Sequence, residues 1–332
     1  MPQFYTNLSK HSSIQSKTKF IEVRALLFKA LLALKYKLMQ NLIPFPDFQQ
    51  FLAPAKINLF LHITGRRADG YHTLQSVFQL LDFYDTLHIK PTQNGKIKRI
   101  SEIDGVPASQ DICALAASAL QQKTGCKLGV EYAVEKRIPM GGGLGGGSSD
   151  AATMLLALNH LWRLGLSRSE LMQIGLSLGA DVPIFIFGQN AWAEGVGEIL
   201  SPIDLPEKYY VVLTPPAHVS TAQVFANSTL TRDTKPLKIA DFSSATYSSD
   251  FRNDLEAIVC KEFSAVATTL QWLNQFGQAR MSGSGASVFV ALDSKKYVSK
   301  QSADELLAKK PANTTGFVAK GIVKHPHYAL TR

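Results

Sequence analysis

The chain reads as an α+β protein, and three observations carry that reading. Strand-like and helix-like stretches are mixed along it, and the pattern restarts with a strand near residue 209 after a seam near 205. Its 332 residues can bury a large core and fit two domains better than one. A hydrophobic content of 45% with 18% charged residues is that of an ordinary globular protein.

Positions 51–64 read as a strand, with Ile57, Leu59, Leu61 and Ile63 alternating. A charged turn at 65–70 follows, and Tyr71-His72 opens a segment apolar over 74–81 and strand-like over 82–90. Asn94-Gly95 predicts a hairpin into 96–103. An alanine-rich helix is expected over 114–122 and a strand over 130–134. Ala152, Leu155, Leu156, Asn159 and Trp162 share the helical spacing of 150–162. Ser167 then caps a helix to Leu178, with Glu170 completing a capping box. Gly179-Ala180 ends that helix, and Asp181-Val182-Pro183 leads into an apolar strand at 184–187.

Beyond the seam come a strand at 210–213, a corner at Pro215-Pro216, and helices around 221–226 and 254–276. The segment 280–291 and a terminal strand near 316–323 complete the pattern, while the Ser/Thr-rich stretch 227–249 reads as loop. The expected organisation is an extension over 1–50 and domains over 51–204 and 205–332.

More than half of the net charge of +9 sits in the extension, whose seven Lys and Arg face only Glu22 and Asp47. The remaining positive balance suits a small anionic substrate and is too weak to argue for nucleic acid. Positions 20–43 pattern as a basic amphipathic helix. A transit peptide, a membrane-surface helix and a dispensable extension with Met39 as a later start are all compatible with it. Its lysines break the apolar run a secretory signal needs. No apolar run reaches transmembrane length. Cys113, Cys126 and Cys260 are odd in number and far apart, the pattern of reduced thiols in a cytosolic protein rather than of a zinc site.

Residues 141–147 hold six glycines in seven positions, inside the run Pro139, Met140, Gly141, Gly142, Gly143, Leu144, Gly145, Gly146, Gly147, Ser148, Ser149. Glycine costs backbone entropy, so a run this dense answers a geometric need. Backbone N–H groups wrapped around an anion, backed by the positive end of the next helix, make a phosphate cradle. A flexible linker is a poorer fit, because apolar segments bracket the run. The fingerprint G-x-G-x-x-G is met at Gly141, Gly143 and Gly146, but any such run would meet it, and no ribose-binding acid follows a second strand. No Lys precedes Ser148, so the loop is not a Walker A motif, and positive charge must come from elsewhere.

Lys56, within an apolar strand, is the first candidate for that charge. Asp181 is the candidate base: beside a lysine its carboxylate could accept a proton from an alcohol, although such an aspartate more often caps or turns. Ser148 and Ser149 could bond phosphate, ligate Mg²⁺ or cap the helix, and Asp150 suits the helix dipole. A second small-residue loop, 281–287, is expected to pack against a ligand, pack against the first loop, or simply turn.

Taken together these segments resemble the GHMP kinase family. The loop from Pro139 to Ser149 and the glycine-rich stretch Ser282–Ala286 match its motifs. Pro54-Ala55-Lys56-Ile57-Asn58-Leu59, Arg67-Ala68-Asp69-Gly70-Tyr71-His72, Gly179-Ala180-Asp181-Val182-Pro183 and Ala193-Glu194-Gly195-Val196-Gly197-Glu198 match one branch of it. That branch phosphorylates the tertiary 2-hydroxyl of 4-diphosphocytidyl-2-C-methyl-D-erythritol in the non-mevalonate isoprenoid pathway.

The resemblance covers about residue 53 to the C-terminus. It implies a two-domain fold, with a ribosomal protein S5 domain 2-like N-terminal domain and a ferredoxin-like C-terminal domain. It also implies ATP and Mg²⁺ as cofactors, a cytoplasmic monomer or homodimer, and neither nucleic acid nor stable membrane association. By the same resemblance Lys56 and Asp181 are catalytic, and Lys136 lies near the nucleotide. Asn58, Tyr71, His72, Thr221 and Phe225 line the substrate, Tyr71 stacking on the base. The chain departs from relatives at Asp111 and Asp150, where some carry Asn, so the resemblance supplies neither an adenine contact nor a metal ligand set.

Overall fold

Strand β2 (His72–Thr92) is the spine of the fold. In this computed structural model, which describes residues 45, 47–244, 251–293 and 299–331, its 21 residues hydrogen-bond to four other strands. Strand β1 (Gln49–Arg66) runs antiparallel along nearly all of β2. On the opposite edge β2 meets, in turn, β5 (Ala191–Glu194), β10 (Thr315–Ile322) and β4 (Gly129–Glu135). The short β3 (Ile97–Arg99) lies outside β4, and β6 (Ile199–Pro202) outside β5. Beyond β10 the sheet continues through β7 (Tyr209–Thr214), β9 (Val288–Ala291) and β8 (Ala279–Met281).

The helices cover the apolar faces of this sheet. On the first half these are α1 (Ile112–Thr124), α2 (Gly146–Leu161), α3 (Arg168–Leu178) and α4 (Val182–Phe187). In α2 every residue from Ser149 to Asn159 is buried, so this helix is enclosed on all sides rather than amphipathic. The second half carries α5 (Thr221–Ala226), α6 (Ile239–Ser244), α7 (Glu256–Glu262), α8 (Ser264–Leu273) and α9 (Lys300–Leu307). Each half has its own apolar cluster, yet β10 bonds to both β2 and β7, so one sheet runs through both. The connection over 203–208 lies between β6 and β7.

Most expected elements form, and the departures have local causes. The capping box at Ser167 and Glu170 is present as expected. The apolar run 184–187 is helix α4, not a strand: Pro183 takes the first turn, where it is tolerated, and Gly188 in the left-handed region closes the helix. Asn94-Gly95 does turn the chain, but β3 pairs in parallel with β4 instead of folding back on β2. The expected helix over 254–276 is two, broken at the extended Phe263. The loop expected over 227–249 contains α6. Helix α2 starts inside the glycine run, at Gly146. The amphipathic pattern at 20–43 and Met39 lie outside the described residues. Among the described residues no helix is long and apolar enough to cross a membrane.

Leu155, fully buried on α2 within the first cluster, tests how that half is held. Leu155→Ala is expected to lower stability by about 2–5 kcal/mol, read from the shift of the urea unfolding midpoint.

Candidate active site

The ladder between β1 and β2 is irregular at Pro54/Lys56 and again at Asn58/Leu61. Such irregularities re-aim side chains. Lys56 and Asn58, two residues apart, share one face. The Lys56 N–H donates out of the sheet to the Leu144 carbonyl of the glycine loop at 3.0 Å. Its ammonium Nζ, on a side chain only 2% exposed, donates to Asn58 Oδ1 at 2.6 Å and the Gly143 carbonyl at 3.1 Å. It stands 3.2 Å from Asp181 Oδ2. Asn58 is itself aligned, because its Nδ2 donates to Ser76 Oγ at 2.8 Å and Ser76 Oγ donates to the Phe60 carbonyl at 2.6 Å.

Asp181 occupies the N-cap position of α4, yet its side chain makes no capping hydrogen bond. The ordinary use of an aspartate at a helix start is therefore set aside, and the carboxylate goes to the lysine. It is not buried: the side chain is 40% exposed and lines a cavity of about 380 Å³ with Lys56, Asn58, Ser148 and Thr221. An open carboxylate beside an enclosed ammonium is what an incoming hydroxyl requires.

The glycine run works on two sides. Its outer side, with Lys136 and residues Pro139–Ser148, lines a neighbouring cavity of about 400 Å³ at the N-terminus of α2, where helical N–H groups lack acceptors. Its inner side packs too tightly for a Cβ at Gly142, Gly143 and Gly145. At Gly143 (φ +74°) a Cβ would stand 2.2 Å from the Ser282 carbonyl oxygen. At Gly145 (φ +73°) it would stand 2.7 Å from the Phe185 ring. The second small-residue loop, 281–287, thus packs against the first loop. Ser282 Oγ donates to the Gly143 carbonyl at 2.9 Å, and the Ser287 N–H donates to the Gly142 carbonyl at 3.1 Å. Asn253 Nδ2 holds the second loop from behind, donating to the carbonyls of Met281 and Gly283 at 2.9 and 2.7 Å.

Two of the sequence-predicted residues sit differently from their expected use. Ser149 is fully buried and does not line the cavity outside the glycine run, and its Oγ has no hydrogen-bond partner among the described residues. Lys136 does line that cavity, but its ammonium is already paired with Asp85 Oδ2 and with Asp150 Oδ2, the latter at 2.6 Å. Burial pushes the Asp150 carboxyl up to about 8, against the pull of Lys136 and with the help of the Asp85 charge. Burial works against the Lys136 ammonium, but the two carboxylates outweigh it and raise its pKa. Asp111 is occupied internally, accepting from Cys113 N, the Tyr132 hydroxyl and Arg99.

On the other side of Asp181 lies a third cavity, lined by Tyr71, His72, Thr221 and Phe225 with Arg66 and Asp69. Tyr71 is 64% exposed at its rim. The His72 and Phe225 rings are 5.2 Å apart, and Thr221 Oγ1 bonds Ser284 Oγ at 2.6 Å. Sequence reasoning missed Asp85, Asn253 and Arg232, whose Nε donates to His72 at 3.0 Å. None lies in a glycine-rich or motif-like run that could have pointed to it.

The three cavities share walls. Gly141, Gly143 and Ser148 line both the first and the central one, while Leu74, Ala180, Val196, Thr221 and Phe225 line both the central and the third. A cavity at a helix N-terminus with a lysine–aspartate pair at its edge is an arrangement suited to phosphoryl transfer onto a small molecule. Residues 111–189 match the model of the GHMP kinases N terminal domain and 232–304 that of the GHMP kinases C terminal domain. A 4-diphosphocytidyl-2-C-methyl-D-erythritol kinase of Cupriavidus necator is 52% identical over 290 residues, covering 87% of this chain and 98% of its own. One of Janthinobacterium sp. (strain Marseille) is 54% identical over 279 residues, covering 82% and 94%. The crystal structure of a 4-(cytidine 5'-diphospho)-2C-methyl-D-erythritol kinase superposes with a TM-score of 0.68 at 32% identity, covering 82% of this chain and 100% of that one. A mevalonate kinase structure, 15% identical, covering 83% of this chain and 100% of that one, with a TM-score of 0.59, shares the fold. The chain belongs to the GHMP kinases.

The contact between the loops makes Gly143→Ala informative. Strained backbone and the collision with the Ser282 carbonyl are expected to cost about 1–3 kcal/mol, so the thermal midpoint and kcat/KM should fall together. The acids around Lys136 set a pH dependence. At neutral pH the raised pKa leaves Asp150 largely protonated, so Asp85 and Lys136 balance. Above pH about 8 a second negative charge appears beside the cradle. KM for ATP should therefore rise with pH through that range, and Asp150→Asn should flatten the profile.

Proposed function

We propose that the protein transfers the γ-phosphoryl of ATP to the 2-hydroxyl of 4-diphosphocytidyl-2-C-methyl-D-erythritol, giving the 2-phosphate and ADP. The observation that carries this reading is the 3.2 Å approach of Lys56 Nζ to Asp181 Oδ2 at the junction of an anion cradle and an aromatic-lined cavity. The curated relatives that this chain matches along nearly their whole length bear that activity as their name.

The glycine loop and the N-terminus of α2 hold the triphosphate, with Lys136 near the nucleotide. Tyr71 and Phe225 flank the cytosine, His72 supplies a hydrogen bond to it, and Asn58 and Thr221 face the erythritol. Asp181 accepts the proton of the 2-hydroxyl while Lys56 orients that oxygen and stabilises its developing charge. The new O–P bond forms as the bond from the γ-phosphorus to the β–γ bridging oxygen breaks, and ADP leaves with that electron pair. Catalysis of this kind is mostly positioning and charge stabilisation.

No cluster of three or more His, Cys, Asp or Glu side chains is placed to hold a metal among the described residues. That fits Mg²⁺ arriving on the phosphates, since this ion keeps several waters and needs few protein ligands. Ser148, which faces both cavities, offers it an oxygen. When bound it neutralises charge on the β- and γ-phosphates. In this reading 51–204 is the nucleotide-binding domain and 205–332 the second domain. The enzyme works in the cytoplasm as a monomer or homodimer in isoprenoid precursor synthesis, without nucleic acid or stable membrane association.

Purified protein should consume ATP only when the cytidylylated methylerythritol is present; turnover on mevalonate or homoserine in its place would overturn the assignment. Asp181→Asn should lower kcat by about 10²-fold or more in the same coupled ADP-release assay, with KM for ATP little changed.

A further inference from the structure

We propose that Arg232 is a positioning residue that locks His72 as the Nδ1–H tautomer and, through the same guanidinium, fixes the Phe225 wall of the aromatic-lined cavity. The proposal deepens the reading above and rests on it for the identity of the ligand.

The chemistry of the donors makes the tautomer unambiguous. A guanidinium carries only donors and stays charged in proteins. Arg232 Nε lies 3.0 Å from His72 Nε2, so that nitrogen must be the lone-pair acceptor and the ring proton must sit on Nδ1. Each of the other guanidinium nitrogens is also engaged. Nη1 donates to the Leu230 carbonyl at 3.1 Å, and Nη2 donates to the carbonyls of Phe225 and Asn227 at 3.0 and 2.8 Å. The Phe225 carbonyl belongs to the last turn of α5, where an intrahelical donor is lacking. One side chain therefore ties the β2 wall to the α5 wall and sets the distance between the His72 and Phe225 rings.

The consequence is a donor of fixed direction, Nδ1–H, on a ring that lines the cavity. It selects a flat heterocycle presenting a lone-pair acceptor, such as a pyrimidine carbonyl or ring nitrogen. Protonation of His72 would set two positive groups against each other. Desolvation lowers its pKa first, with Arg232 and Arg66 adding to the effect. Asp69 also lines the cavity, but its carboxylate is paired with Arg67 at 2.7 Å.

The test uses ¹⁵N-histidine-labelled full-length protein. The His72 signals should report the Nδ1–H tautomer in the wild type and the ordinary mixture in Arg232→Met. In kinetics, Arg232→Met should raise KM for the cytidylylated substrate by about tenfold or more, the worth of one misdirected hydrogen bond, with KM for ATP within about twofold. Arg232→Lys, which keeps a single charged donor, should recover part of the loss, and on a His72→Ala background the Arg232→Met penalty should shrink. An Nε2–H tautomer in the wild type, or fully additive penalties, overturns the proposal. Failure to phosphorylate the cytidylylated substrate with the Nδ1–H tautomer present would instead overturn only the proposed substrate.

Discussion

The ammonium of Lys56 is the charge around which the centre of the molecule is arranged. Taking such an ion out of water costs several kcal/mol unless each proton finds an acceptor. An ammonium has three donors, and three acceptors surround it: Asn58 Oδ1, the Gly143 carbonyl and Asp181 Oδ2. Each arrives from a different element, so satisfying one ion fastens β1, the glycine loop and the start of α4 together. The Gly143 carbonyl also accepts from Ser282 Oγ, which extends the fastening to the second half of the chain. Asp181 is the acceptor that remains open to the cavity, and so the one a substrate can displace or share.

Positive charge at the phosphate cradle has a different source from the one that side-chain inventory suggests. Lys136 lines the first cavity, yet it is already held by two acids, Asp85, which balances its charge, and Asp150, which bonds it alongside. What lines the first cavity is mainly backbone: the glycine loop and the first turn of α2, with Lys56 on the central cavity beyond it. Dipoles fixed by a folded loop need no reorganisation when charge moves, whereas mobile lysines would. The packing of the second loop against the first keeps those dipoles fixed.

Much of this was legible in the residues. Lys56 betrayed itself by sitting in an apolar strand, and the glycine run by its cost in entropy. The capping box at Ser167 follows from local chemistry alone, and the structure has it. The strand expected at 184–187 failed because four apolar residues fit a buried strand or a buried helix equally, and Pro183 and Gly188 decided for the helix. The reason for the glycines was half hidden. An anion cradle explains their outer side, but the need for bare Cα atoms at 143 and 145 comes from Ser282, Phe185 and Lys56, distant in sequence. Arg232 and Asp85 were invisible for the same reason: their partners lie 160 and 51 residues away.

The arrangement of the cavities also explains why an aromatic-lined compartment belongs beside a phosphoryl-transfer centre at all. The central cavity shares the glycine loop with one neighbour and Thr221 and Phe225 with the other, so in the proposed reading the reacting hydroxyl lies between two anchored ends. A tertiary hydroxyl is crowded and gains most from being held in line with the γ-phosphorus. In the proposed reading, binding energy from a remote ring in the cavity that Tyr71 and Phe225 line can be used to hold it there. A small hydroxy acid without such a ring would leave that compartment filled with water and its hydroxyl free to wander. On that reading the distance between the His72 and Phe225 rings belongs to the catalytic geometry, although both rings line the outer compartment.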